Sequence, residues 1–280
     1  MDIENVLRRF EELLSQGRVD EAGQYLEETA AVSESDGDGL AEASCRNEQT
    51  GFRRVCGQRE KSYASAERAL ALLSENGLAG SIDYATVLLN YATAKSAFGE
   101  SAEALPLYRR VEECYGELLP VSDYRRASLY NNMAQALLRD GNTKEAAGYF
   151  EKSLRLLAEM TDVDSERATC NTNIAFCLLA EGRLDEAQKF LEGAEEAFRR
   201  LPGDPHYDGA LSCRGRLEYL RGRYAEAAEA YLQLADNIES RFGRNINYAA
   251  ACRSCAKAFA AAGLDAEAER FRLLAESARR

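Results

Sequence analysis

Ala180-Glu181-Gly182-Arg183-Leu184-Asp185-Glu186-Ala187-Gln188 reads as the end of one helix, a tight turn and the start of a second. Arg139-Asp140-Gly141-Asn142-Thr143-Lys144-Glu145-Ala146-Ala147 and Leu220-Arg221-Gly222-Arg223-Tyr224-Ala225-Glu226-Ala227-Ala228 repeat that motif. Working outward, Gly17, Gly57, Gly99, Gly141, Gly182, Gly222 and Gly263 recur at intervals of 40, 42, 42, 41, 40 and 41 residues. Such a period marks stacked supersecondary units rather than one globular core. Glycine supplies the backbone freedom that ends the first helix, and a nearby Asn, Asp, Thr or Ser is expected to cap the second.

The side chains around each glycine keep the same phase. Five residues after it stands Ala22, Ala104, Ala146, Ala187, Ala227 or Ala268, with Ser62 the one departure. Seven before it stands Ala92, Ala134, Ala175, Gly215 or Ala256, and nine after it Leu26, Tyr108, Phe150, Leu191 or Tyr231. Small residues let two helix axes approach, and large ones fill the next gap, so overfilling a small position costs about 1–3 kcal/mol.

This pattern resembles the tetratricopeptide repeat, and its length is similar to the kinesin light chain subtype, whose double Asn and Pro-Leu-Tyr run are matched by Asn131-Asn132 and Pro106-Leu107-Tyr108. The resemblance implies an all-α fold, an α-solenoid of about seven hairpins in a right-handed superhelix whose first helices line a concave face. Residues 1–280 are read as one such domain, with repeats near 1–36, 39–76, 81–120, 122–160, 164–200, 205–241 and 245–280. Ala31 to Gly39 reads as a flexible polar link, and the second copy, with Ser62, Ser65 and Ala66 in place of apolar fillers, as the loosest.

A net charge of −12 and a pI near 4.9 argue against nucleic acid, whose phosphates demand a cationic stripe. The opening Met1 to Leu7 carries neither a basic leader nor an apolar core, and no run of about 18 apolar residues follows, so the expectation is a cytoplasmic protein off the membrane. Of the 8 cysteines, all but Cys114 fall in first-helix segments and read as small, reduced core residues.

If first helices line a groove, the residue nine before each glycine faces it, which places Asn90, Asn132 and Asn173 in one ladder, followed by Cys213 and Ser254. A carboxamide donates and accepts, so such a row pairs with the backbone of an extended peptide. In the family an Asn at this place commonly touches bound peptide. The alternative, that these side chains bridge neighbouring helices, stays open. Asn131, Gln135 and Phe176 occupy adjoining groove positions, and Arg216, Arg253 and Lys257 make the C-terminal end basic, fit for an acidic side chain or a terminal carboxylate. Arg214 and Glu218, four apart, read as an ion pair.

Cys252-Arg253-Ser254-Cys255 lies mid-helix without the further ligands zinc needs, and His206 is the sole histidine, so no metal, cofactor or catalytic group is expected. The reading is therefore a non-catalytic adaptor that binds an extended segment of another protein, acidic in part, with its own oligomeric state open. Two alternatives stand beside it: a receptor for a short signalling peptide in a regulatory system, and a self-associating assembly unit. With the first repeat starting near residue 3, an output module of such a receptor is expected on a separate protein.

Overall fold

A computed structural model describes residues 2–278, and among them the chain forms fourteen helices and no strand. In chain order these are α1 (Ile3–Ser15), α2 (Val19–Ser35), α3 (Gly39–Val55), α4 (Arg59–Glu75), α5 (Ile82–Ala97), α6 (Ser101–Leu118), α7 (Tyr124–Arg139), α8 (Thr143–Ala158), α9 (Asp164–Ala180), α10 (Leu184–Arg199), α11 (Tyr207–Leu220), α12 (Tyr224–Phe242), α13 (Ile246–Ala261) and α14 (Asp265–Ser277). They fall into two compact units, the first ending at Asn142 and the second beginning at Thr143. Within each unit every helix packs on its neighbours in sequence, so the architecture is the helix-hairpin solenoid class rather than a bundle around one core.

Each hairpin turn is made by one glycine and the residue after it. Gly182 sits at φ 76°, which a side chain would strain. Arg183 then donates its N–H to the Leu178 carbonyl at 2.9 Å, and its own carbonyl accepts from Ala187 N–H at 3.0 Å. One residue thus closes the first helix and opens the second. Arg18, Gln58 and Arg223 do the same, and the residue that takes the opening bond is the small one five after the glycine. This corrects the capping expectation. No side-chain cap serves α2, α4, α6, α10, α12 or α14, because the linking residues Arg18, Gln58, Glu100, Arg183, Arg223 and Leu264 lack the short polar side chain that a cap needs. Side-chain caps instead begin first helices: Asp2 for α1, Asp38 for α3, Ser81 for α5, Asp123 for α7 and Asn245 for α13.

The small positions are enclosed as their spacing demands: Ala22, Ala104, Ala146, Ala187, Ala227 and Ala268 are buried, and so is Ser62, which donates to the Thr50 carbonyl at 2.8 Å. At Gly215 the fit is tightest, since a Cβ there would lie 2.6 Å from the Tyr231 ring. Large partners Leu26, Tyr108, Phe150 and Leu191 are buried against these gaps.

Two further corrections arise. The stretch from Ala31 is no link: α2 continues to Ser35, because Ala30 packs with Val6 and Cys45 and Ser33 is buried, leaving only Asp36 to Asp38 as the turn. Cys56 is not a core residue either. It ends α3 as an exposed cap, whereas Cys45, Cys170, Cys177, Cys213, Cys252 and Cys255 are buried. Burial pushes the Cys213 and Cys255 thiols up to about 12, so they stay neutral packing groups.

Candidate functional site: the odd-helix faces

Within the first unit α1 touches α3, α3 touches α5 and α5 touches α7, and in the second α9 touches α11. Among the described residues no even helix packs comparably on the next even one. The odd helices α1, α3, α5 and α7 of the first unit, and α9 and α11 of the second, therefore form continuous rows with seams between them.

In the first unit Asn90 of α5 donates its Nδ2 to Asn47 Oδ1 of α3 at 2.8 Å. Arg139 of α7 reaches back to Ser96 Oγ of α5 at 2.9 Å. These two bonds set the register: residues nine or ten, and two or three, before each glycine lie along the seam. Asn132, nine before Gly141, occupies that register, Gln135 lies one turn further along α7, and both are half-buried and make no hydrogen bond among the described residues. Asn131, beside them, keeps a buried carboxamide oxygen without a donor. Asn90 is thus engaged in bridging two helices, while Asn132 and Gln135 keep their donors and acceptors for something else.

In the second unit Asn173 and Phe176 are half-buried on α9, and Asn173 makes no hydrogen bond among the described residues. Arg253 and Lys257, both exposed on α13, line an open pocket of about 460 Å³ with Tyr219 of α11 and Arg272 of α14. The Lys257 ammonium lies 4.8 Å from the centre of the Tyr219 ring, which holds it by cation–π attraction. Arg272 is paired with Glu269 at 2.8 Å, but Arg253 and Lys257 meet no carboxylate among the described residues. Arg216 is exposed on α11 and does not line that pocket.

Asn47, Tyr219 and Arg272 belong to these faces though the sequence reading passed over them. Asn47 stands ten before Gly57, a groove position hidden in the copy with the weakest pattern. Arg272 stands nine after Gly263, where five other copies carry Leu, Tyr or Phe, and that exchange was the available signal.

Beside the face, Arg214 forks onto Glu195 of α10 at 2.8 and 2.6 Å and meets Glu218 at 3.2 Å, and Glu218 also pairs with Arg223. The bond to Glu195, then its charge, holds the Arg214 guanidinium above its usual range. The pair read from the sequence is one edge of a four-residue network that ties two hairpins together. No cluster of His, Cys, Asp and Glu among the described residues is arranged to hold a metal ion. No helix among them is long and apolar enough to cross a membrane.

Comparison with known proteins agrees with this geometry. Residues 137–212 match the family model described as tetratricopeptide repeat. The apo form of RapI is similar over 100% of this chain and 98% of its own, with a TM-score of 0.74 at 12% identity. A Rap protein complexed with Competence and Sporulation Factor is similar over 97% of this chain and 72% of its own, with a TM-score of 0.72 at 17% identity. Kinesin light chain repeats of Podosopora anserina align over 70% of this chain and 93% of their own, with a TM-score of 0.58 at 19% identity. At such identities the likeness speaks to fold alone. Hairpins joined by a shared residue after glycine, small positions in phase and the matching segment identify a tetratricopeptide repeat at residues 137–212 and the tetratricopeptide-repeat fold for the chain around it.

Proposed function

We propose that the odd-helix faces capture an extended peptide segment of another protein and that the chain works as a non-catalytic scaffold of the cytoplasm. One observation carries the reading: Asn132, Gln135 and Asn173 are half-buried carboxamides on the odd helices with no hydrogen bond among the described residues. A peptide backbone satisfies both ends of a carboxamide that no neighbouring side chain engages. Arg253 and Lys257, unpaired beside Tyr219 in a chain of net charge −12, suit an acidic side chain or terminal carboxylate of the same class of ligand. The fold-level likeness to a Rap protein complexed with a factor favours one variant of this reading, in which the captured segment is a short signalling peptide.

The test uses decapeptides selected by display against the whole chain and titrated by calorimetry. Asn132→Ala combined with Asn173→Ala is expected to weaken the selected peptides by about tenfold or more, at roughly 1 kcal/mol per lost hydrogen bond. The thermal midpoint should shift by no more than about 2 °C, since no internal bond is removed. Unchanged affinity in the double variant rejects the reading.

A further inference from the structure

A half-enclosed pocket of about 220 Å³ opens in the first unit, away from every residue used above except Asn47. Leu7 of α1, Leu40 of α3, Leu73 of α4 and Val87 of α5 make its walls, and Glu48 and Asp83 bring carboxylates to it. Its volume is below that of typical ligand pockets, about 300–1,000 Å³, and suits one side chain.

Glu48 sets this pocket apart. Among the most enclosed carboxylates, Glu42 meets Arg46 and Arg68, Glu100 meets Lys95 and Arg59, and Glu218 meets Arg214 and Arg223. Glu48 is half-buried, makes no ion pair among the described residues, and takes only a long bond of 3.5 Å from Asn47 Nδ2. Burial, and secondarily the like charge of Glu11, push its carboxyl above the usual range. A carboxylate partly withdrawn from water beside apolar walls is stabilised by a cation on an aliphatic stem, because the stem covers the apolar surface while the head meets the charge.

We infer that this pocket receives a lysine side chain of a partner peptide, its methylenes along Leu7, Leu40 and Val87 and its ammonium against Glu48. The inference rests on the peptide-capture reading only for what carries the lysine. The pocket itself is tested with a free probe, n-butylammonium, titrated into the full chain and followed by amide NMR shifts. Saturable shifts are expected at Ser44, Thr86 and Val87, with affinity at least about fivefold above that of 1-butanol. Glu48→Gln should erase the preference for the charged probe. Leu40→Lys, at an exposed position that folding tolerates, should abolish the shifts by placing a tethered ammonium over the pocket. Absence of saturable shifts at these amides, equal binding of 1-butanol, or a preference that survives Glu48→Gln overturns the inference. Because butylammonium carries no peptide backbone, its result is independent of the Asn132/Asn173 double variant, and either proposal can fail alone.

Discussion

Gly215 shows how a single position is decided by its neighbour. Alanine is the better helix former by about 1 kcal/mol, and other copies carry it at this place. Here the Tyr231 ring occupies the space, with ring atoms 2.6 to 2.8 Å from where a Cβ would stand. Overpacking costs about 1–3 kcal/mol, so the clash outweighs the propensity. Gly215→Ala is expected to lower the thermal midpoint, and Gly215→Ala with Tyr231→Leu to recover most of the loss, as measured by calorimetry. A midpoint raised by the single change would mean the ring moves freely. The spacing alone marked Gly215 as a small position, yet it did not reveal why alanine is excluded, because the ring arrives from sixteen residues on.

At the scale of elements, α10, α11 and α12 are joined by charge as well as by packing. Arg214 spans from α11 to Glu195 on α10, and Glu218 draws in Arg223, the residue that links α11 to α12. Removing Arg214 leaves the half-buried Glu195 without a cation and the buried Glu218 with Arg223 alone, and losses at buried pairs run up to roughly 3–5 kcal/mol. Arg214→Leu is therefore expected to cost far more than the volume change suggests, whereas Arg214→Leu with Glu218→Leu and Glu195→Gln should regain much of it. Denaturant melts check this, and a single variant within about 0.5 kcal/mol of the parent would show the network to be ornamental to stability. The four-residue spacing exposed the Arg214 to Glu218 edge. Glu195 joined it only when the hairpins stacked, and Arg223 only when the α11–α12 turn carried it back to Glu218.

Among the described residues, each helix packs within its own unit chiefly on the helices one or two along the chain. Stability in such arrays is close to a sum of local terms. Ala187 is buried, at the first turn of α10, and Ala187→Leu is expected to raise amide exchange in α9, α10 and α11 while leaving α1 to α5 at their parent rates. Uniform loss of protection along the chain would contradict the nearest-neighbour picture. The same locality explains which parts of the candidate faces were legible. Asn90, Asn132 and Asn173 were found because one phase repeats, but that Asn90 is spent on Asn47 while Asn132 and Asn173 are not depends on what each adjacent helix presents.

The amino-acid order by itself determined the hairpins, their turns and the small-large alternation, because glycine backbone freedom and 3.6-residue periodicity act within one or two turns of chain. Only the tertiary structure decided which polar groups remain for a partner. Pairing of Glu48, Asn132, Arg253 or Lys257 depends on side chains brought from other helices, and no local rule encodes whether a neighbour supplies the complementary charge or leaves the group to a ligand.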